Sequence, residues 1–133
     1  MALTFKLFID PALTTPLAAP LSFFVEAGSA GHCDAVVYLG TPVPGRILQT
    51  EINPGVDDIL VSVTGSGAVA ANQIKLATSS AGLDAATGGT DLNLGPILSA
   101  TTPVHIRVTE DADTVGEVVL SITTSALAEY LNV

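Results

Sequence analysis

Tryptophan is absent from this chain, cysteine occurs once, aromatics are 5% of residues, and only four residues are basic. Each shortage excludes something. A single thiol, Cys33, forms no internal disulfide. Lys6, Arg46, Lys75 and Arg107 are scattered and stand against thirteen acids, giving a net charge of −9. Four dispersed cations build no phosphate-neutralising stripe, so nucleic acid is not the expected partner. An anionic membrane surface repels such a chain, and no apolar run approaches the roughly 18 residues of a membrane span. Charge itself is scarce at 13% of residues, against about 25% in ordinary soluble domains.

Apolar residues are plentiful instead, 48% of 133. That length is typical of one domain, so residues 1–133 are expected to form a single unit. Folding at this size buries roughly two thirds of the surface of the unfolded chain. The remaining apolar excess belongs in contacts with partners, while surplus acid keeps the unassembled protein soluble. The start, MALTFKLFI, alternates and is cut by Asp10-Pro11, which is not a secretory pattern. Yet the low-charge, Thr/Ser/Gly-rich composition is that of a surface assembly. A protein made in the host cytoplasm and carried outside in a virion reconciles the two.

Period-two alternation recurs between turn signals. Leu3, Phe5, Leu7 and Ile9 share one face of a first strand. The Pro-rich stretch at about 10–20 is expected to be an extended connector or arm, because proline fixes φ and lacks a donor. Strands follow at Leu21–Glu26, at Asp34–Leu39 with Ala35, Val37 and Leu39 on one face, and less cleanly at Arg46–Ile52. Asn53-Pro54-Gly55 is a strong turn signal. Beyond it Ile59, Val61 and Val63 alternate inward, then Ile74 and Leu76. Leu83 to Ala86 predicts one short helical turn before Gly88-Gly89, after which Leu92, Leu94 and Ile97 alternate irregularly. Val104, Ile106 and Val108 face inward, with His105, Arg107 and Thr109 opposite. Glu110–Gly116 is a polar, hairpin-type connection to a strand with Val118, Leu120 and Ile122 inward. Ala126–Tyr130 fits a helical turn or a strand extension. About seven to nine short strands without a sustained helical pattern predict an all-β antiparallel β-sandwich, immunoglobulin-like or jelly-roll.

Chemistry is sparse. His32-Cys33-Asp34 has the residue types of a nucleophilic triad, but in a strand Cys33 points away from its neighbours. His105 is the only other histidine, which leaves a zinc site short of ligands. Glu110-Asp111-Ala112-Asp113 offers hard oxygens for calcium but lacks the EF-hand spacing. Asp57-Asp58 reads as an exposed turn. Gly65-Ser66-Gly67 and Gly88-Gly89 complete no phosphate-binding motif. We therefore expect no enzyme, no catalytic, metal or cofactor-binding residues and no cofactor.

Asn72–Gly95 (NQIKLATSSAGLDAATGGTDLNLG) and Pro103–Glu129 (PVHIRVTEDADTVGEVVLSITTSALAE) resemble the last third of small structural proteins of tailed bacteriophages. They cover under half the chain, and the likeness is of style rather than of a sharp motif. It implies a virion structural protein, a head-decoration or cement subunit that binds the major capsid protein and forms homo-oligomers, with a homotrimer favoured. It carries no functional residue across. A neck or tail component is the alternative within that class, and a carbohydrate-binding or adhesion module the alternative outside it. The shortage of aromatic platforms argues against sugar. Apolar residues on faces expected to point outward, Phe8, Leu48 and Leu60, are the candidate contacts; Arg107→Ala and Cys33→Ser are expected to cost the fold little.

Overall fold

A computed structural model of the chain describes residues 3–17, 21–25, 31–67, 73–110 and 116–131. Among them are ten strands and one short helix. The strands are β1 (Lys6–Phe8), β2 (Leu21–Val25), β3 (Gly31–Gly40), β4 (Arg46–Thr50) and β5 (Leu60–Gly67), then β6 (Ile74–Ala77), β7 (Leu92–Asn93), β8 (Thr102–Glu110), β9 (Gly116–Thr124) and β10 (Leu127–Leu131). Helix α1 (Ser80–Ala85) sits between β6 and β7. All pairing is antiparallel. One sheet runs β1-β3-β8-β6, a second β2-β9-β5-β7, and β10 and β4 form a two-stranded ribbon.

Among the described residues no two consecutive strands pair with each other, and the chain changes sheet at every connection. β8 and β9 thus lie in different sheets and do not pair, contrary to the hairpin expected from the sequence. They bury apolar faces against each other instead: Val104, Ile106 and Val108 of β8 share one buried cluster with Leu120 of β9. Val37, Val61, Ile74 and Leu76 complete that cluster, so both four-stranded sheets supply it. A second cluster, Phe5, Leu39, Leu48, Ile59 and Leu98, packs beneath the ribbon end, with Leu7 and Leu94 touching both.

Two apolar residues expected outside are inside. Leu48 is fully buried, and Phe8 is nearly so. Leu48 is bracketed by Leu98, with which it exchanges backbone hydrogen bonds at 2.8 and 3.0 Å. Phe8 is bridged by Pro16 because the chain doubles back. The first half of the Pro-rich stretch is consequently not an arm. The Asp10 carboxylate accepts from the Thr14 and Thr15 amides and the Thr14 hydroxyl. This closes a turn that returns Leu17 to donate to the Leu7 carbonyl at 2.8 Å. Residues 18–20 lie outside the described residues. Leu3 and Ile9, which alternate with the buried Phe5, are exposed, as is Ile97, while its neighbour Leu98 is buried.

Local chemistry accounts for the turns. Asn53 and Gly55 both adopt positive φ, and the Val56 amide closes the turn on the Asn53 carbonyl. Ser79 caps α1 by accepting from the Gly82 amide at 3.0 Å, and Leu83 is the residue the helix buries. Gly40 meets a close approach: a side chain there would come within 2.9 Å of the Thr101 hydroxyl. Of Ala126–Tyr130, the residues from Leu127 on are strand, since β10 pairs along the whole of β4.

Candidate functional site

The ribbon positions a buried carboxylate that sequence reasoning overlooked. Glu129 lies opposite Leu48 in the β10–β4 register, and both point inward. Its Oε1 accepts from the amides of Thr4 at 2.7 Å and Phe5 at 2.9 Å. Its Oε2 accepts from the Thr4 hydroxyl and from Arg46 Nη1, both at 2.7 Å. The Glu129 side chain is wholly enclosed while Arg46 remains 22% exposed. Burial pushes the carboxyl pKa up, but the Thr4 hydroxyl, the Thr4 and Phe5 amides and Arg46 outweigh it and hold the group below its ordinary value. The arrangement ties the start of the chain to its last strand.

A second polar cluster corrects the assignment of Arg107 to an exposed polar face. Arg107 is buried, its Nε and Nη2 donating to the two Asp34 oxygens at 2.8 and 3.0 Å and its Nη1 to Asp84 at 2.7 Å. Asp34 is its cross-strand partner, and Asp84 comes from α1, which lies against β6 and β8. Hydrogen bonds donated first to Asp34 and then to Asp84 raise the guanidinium pKa further above its usual range. Of the triad-like trio, Asp34 is therefore engaged by Arg107; the side chains of His32 and Cys33 lie outside the described residues, though both backbones belong to β3.

The largest opening described is a surface groove of about 530 Å³. Ile52, Leu60 and Ala126 supply its apolar lining, and Asp57, Asp58 and Asn93 line it beside them. Asp58 accepts from Asn93 Nδ2 at 2.7 Å, which joins the approach to β5 with β7. Both acids are exposed, as expected of a turn. On the same loop Ile52 is 70% and Val56 76% exposed, the two most exposed large apolar side chains described. Leu60, half-buried, is the one candidate contact residue that reaches this surface.

Among the described residues no three His, Cys, Asp or Glu side chains gather as a metal site, and no helix is long and apolar enough to cross a membrane. Residues 111–115, which contain most of the calcium candidate at 110–113, lie outside the described residues. The described residues form a mostly β, antiparallel structure with one short helix, and its largest described opening is a groove lined by apolar residues and two carboxylates. Comparison with protein-family models, curated proteins and solved structures found no match to it.

Proposed function

We propose that this protein is a structural subunit of a tailed-phage virion, a decoration or cement protein that binds the capsid surface as a homo-oligomer, with a trimer favoured. The two four-stranded sheets would then be the halves of a β-sandwich, a reading supported by the buried cluster to which both contribute. One observation carries the functional reading: a chain poor in charge leaves Ile52 and Val56 on an exposed loop beside a groove, where a monomer gains nothing from them. Apolar contact at such a surface, rimmed by polar groups, is how protein partners are held. The resemblance of Asn72–Gly95 and Pro103–Glu129 to phage structural proteins supplies the setting.

The experiment is co-sedimentation of the purified chain with undecorated heads assembled from the major capsid protein of the same genome. Saturable binding that resists washing is expected, together with slower thermal disruption of the heads. Ile52→Ser with Val56→Ser should reduce binding while the circular dichroism spectrum stays unchanged. Heads that sediment without the protein at any concentration would overturn the cement reading.

A further inference from the structure

The carboxylates of Asp57 and Asp58 both line the groove, and the groups that hold them are neutral. The Asn53 amide reaches Asp57 at 3.4 Å, and the Asn93 amide donates to Asp58 at 2.7 Å. Neither acid takes part in an ion pair among the described residues, and no lysine, arginine or histidine among them lines the groove. Two adjacent negative charges thus stand beside aliphatic surface with no cation to offset their repulsion. Their complement is a positive charge carried among aliphatic side chains. Copies of this chain supply it poorly. Arg46 is engaged by Glu129, Arg107 by Asp34 and Asp84, and Lys75 is half-buried. Lys6 is the one lysine exposed among the described residues, and each copy would bring a net charge of −9 with it. A different, basic molecule fits the charge better. Ile52 lines the groove and is still 70% exposed, and Val56 on the same loop is 76% exposed. A free amine in the groove would leave that aliphatic surface in water, whereas a peptide segment covers both.

We propose that the groove takes up a basic segment of a partner protein, a lysine or arginine flanked by aliphatic residues. The cation sets against Asp57 and Asp58, and the aliphatic side chains against Ile52, Leu60 and Ala126. This inference rests on the partner-binding reading above and names the chemistry that the partner presents. Because the two acids are exposed, the contact is salt-sensitive, and the surplus of acid on the whole chain speeds its formation.

Nuclear magnetic resonance of the full chain, titrated with a short blocked peptide of alternating leucine and lysine, tests it. The backbone amides of Asn93, Ser125 and Ala126 should shift saturably. Asp57→Asn should weaken binding about threefold and Asp57→Lys about tenfold, as should raised salt. Asp57 is exposed, so melting temperatures should not move. Replacing lysine by glutamate or leucine by serine in the peptide should each remove most of the affinity. Unmoved groove amides, or equal binding by the glutamate peptide or by the free amine spermidine, would overturn the proposal. Co-sedimentation with heads separates it from the capsid reading. A chain that takes the peptide in the groove but ignores heads removes the capsid reading alone. An Asp57→Lys variant that decorates heads with wild-type affinity removes the groove contact alone.

Discussion

Glu129 is enclosed at the side-chain level yet stays charged, because four protein groups replace the water it has lost. Its pKa is depressed in the folded state, so its contribution is present above the ordinary glutamate value of about 4.3 and fades as pH falls through the lower folded value. Glu129→Gln keeps the shape but sets an amide donor against the donors of Thr4 and Arg46. We expect a loss of about 3 kcal/mol at neutral pH in urea melts, shrinking as the pH is lowered below about 4. A difference between the two proteins that held constant down to acid pH would exclude this role. Leu48 illustrates the same inward face. Its neighbours Arg46 and Thr50 are polar, which made the face read as solvent-exposed, but Arg46 is neutralised by Glu129 and the Thr50 hydroxyl donates to the Ile52 carbonyl at 2.7 Å. Leu48→Ala should therefore cost about 2–5 kcal/mol, as buried leucine truncations do, without a separate effect on assembly. Ile52→Lys should do the reverse, sparing the melting temperature and weakening association. Alternation identified Val61, Ile106 and Leu120 because each has apolar residues two positions to either side, Ile59 and Val63, Val104 and Val108, Val118 and Ile122; it missed Glu129 and Arg107 because their partners lie far along the chain.

The strands that were legible in the sequence are those whose own residues decide the matter. In β8, Val104, Ile106 and Val108 alternate and are all fully buried; at β5, Ile59 and Val61 alternate beyond the Asn53-Pro54-Gly55 turn and are fully buried too. Elements settled by a neighbour were not legible. β10 becomes strand only because β4 pairs with it, and residues 10–17 turn back only because Asp10 gathers the Thr14 and Thr15 donors. The groove was legible in its parts, Leu60 and Asp57-Asp58, but not as a site, since Asn93 and Ala126 reach it from separate strand ends. Helix α1 shows how one element serves another. It is six residues long, too short to persist alone, so its Ser79 cap and buried Leu83 matter. Ser79→Ala should cost about 1 kcal/mol in denaturant titrations. It should also loosen Asp84 from Arg107, so that Asp84→Asn costs less in the Ser79→Ala background than in the wild type. Strictly additive losses would show that helix and ion pair are independent.

At the scale of the whole molecule the decisive feature is that every ladder joins strands that are not neighbours in sequence. β3 pairs with β8 from Gly31↔Glu110 to Leu39↔Thr102, and β2 pairs with β9 from Leu21↔Leu120 to Val25↔Gly116. Each such pairing closes a long loop before its contacts can repay the lost chain entropy. Folding is accordingly expected on the slow side for a domain of this size, milliseconds to seconds, as for other sheets of non-local pairing. The order of events follows from the same reasoning. Val37, Val104, Ile106 and Leu120 belong to the cluster that draws the two sheets together, and it is the natural nucleus. Thr4 and Glu129 stand 125 residues apart, and their bond requires β1 and the β10–β4 ribbon already in place. That tie should form after the rate-limiting step. In stopped-flow chevrons Glu129→Gln should therefore leave the folding limb nearly unmoved and raise the unfolding rate by almost the whole of its equilibrium cost. Ile106→Ala should slow folding substantially. If Glu129→Gln instead slowed folding in proportion to its destabilisation, the two ends of the chain would be meeting early, and the order argued from topology would be wrong.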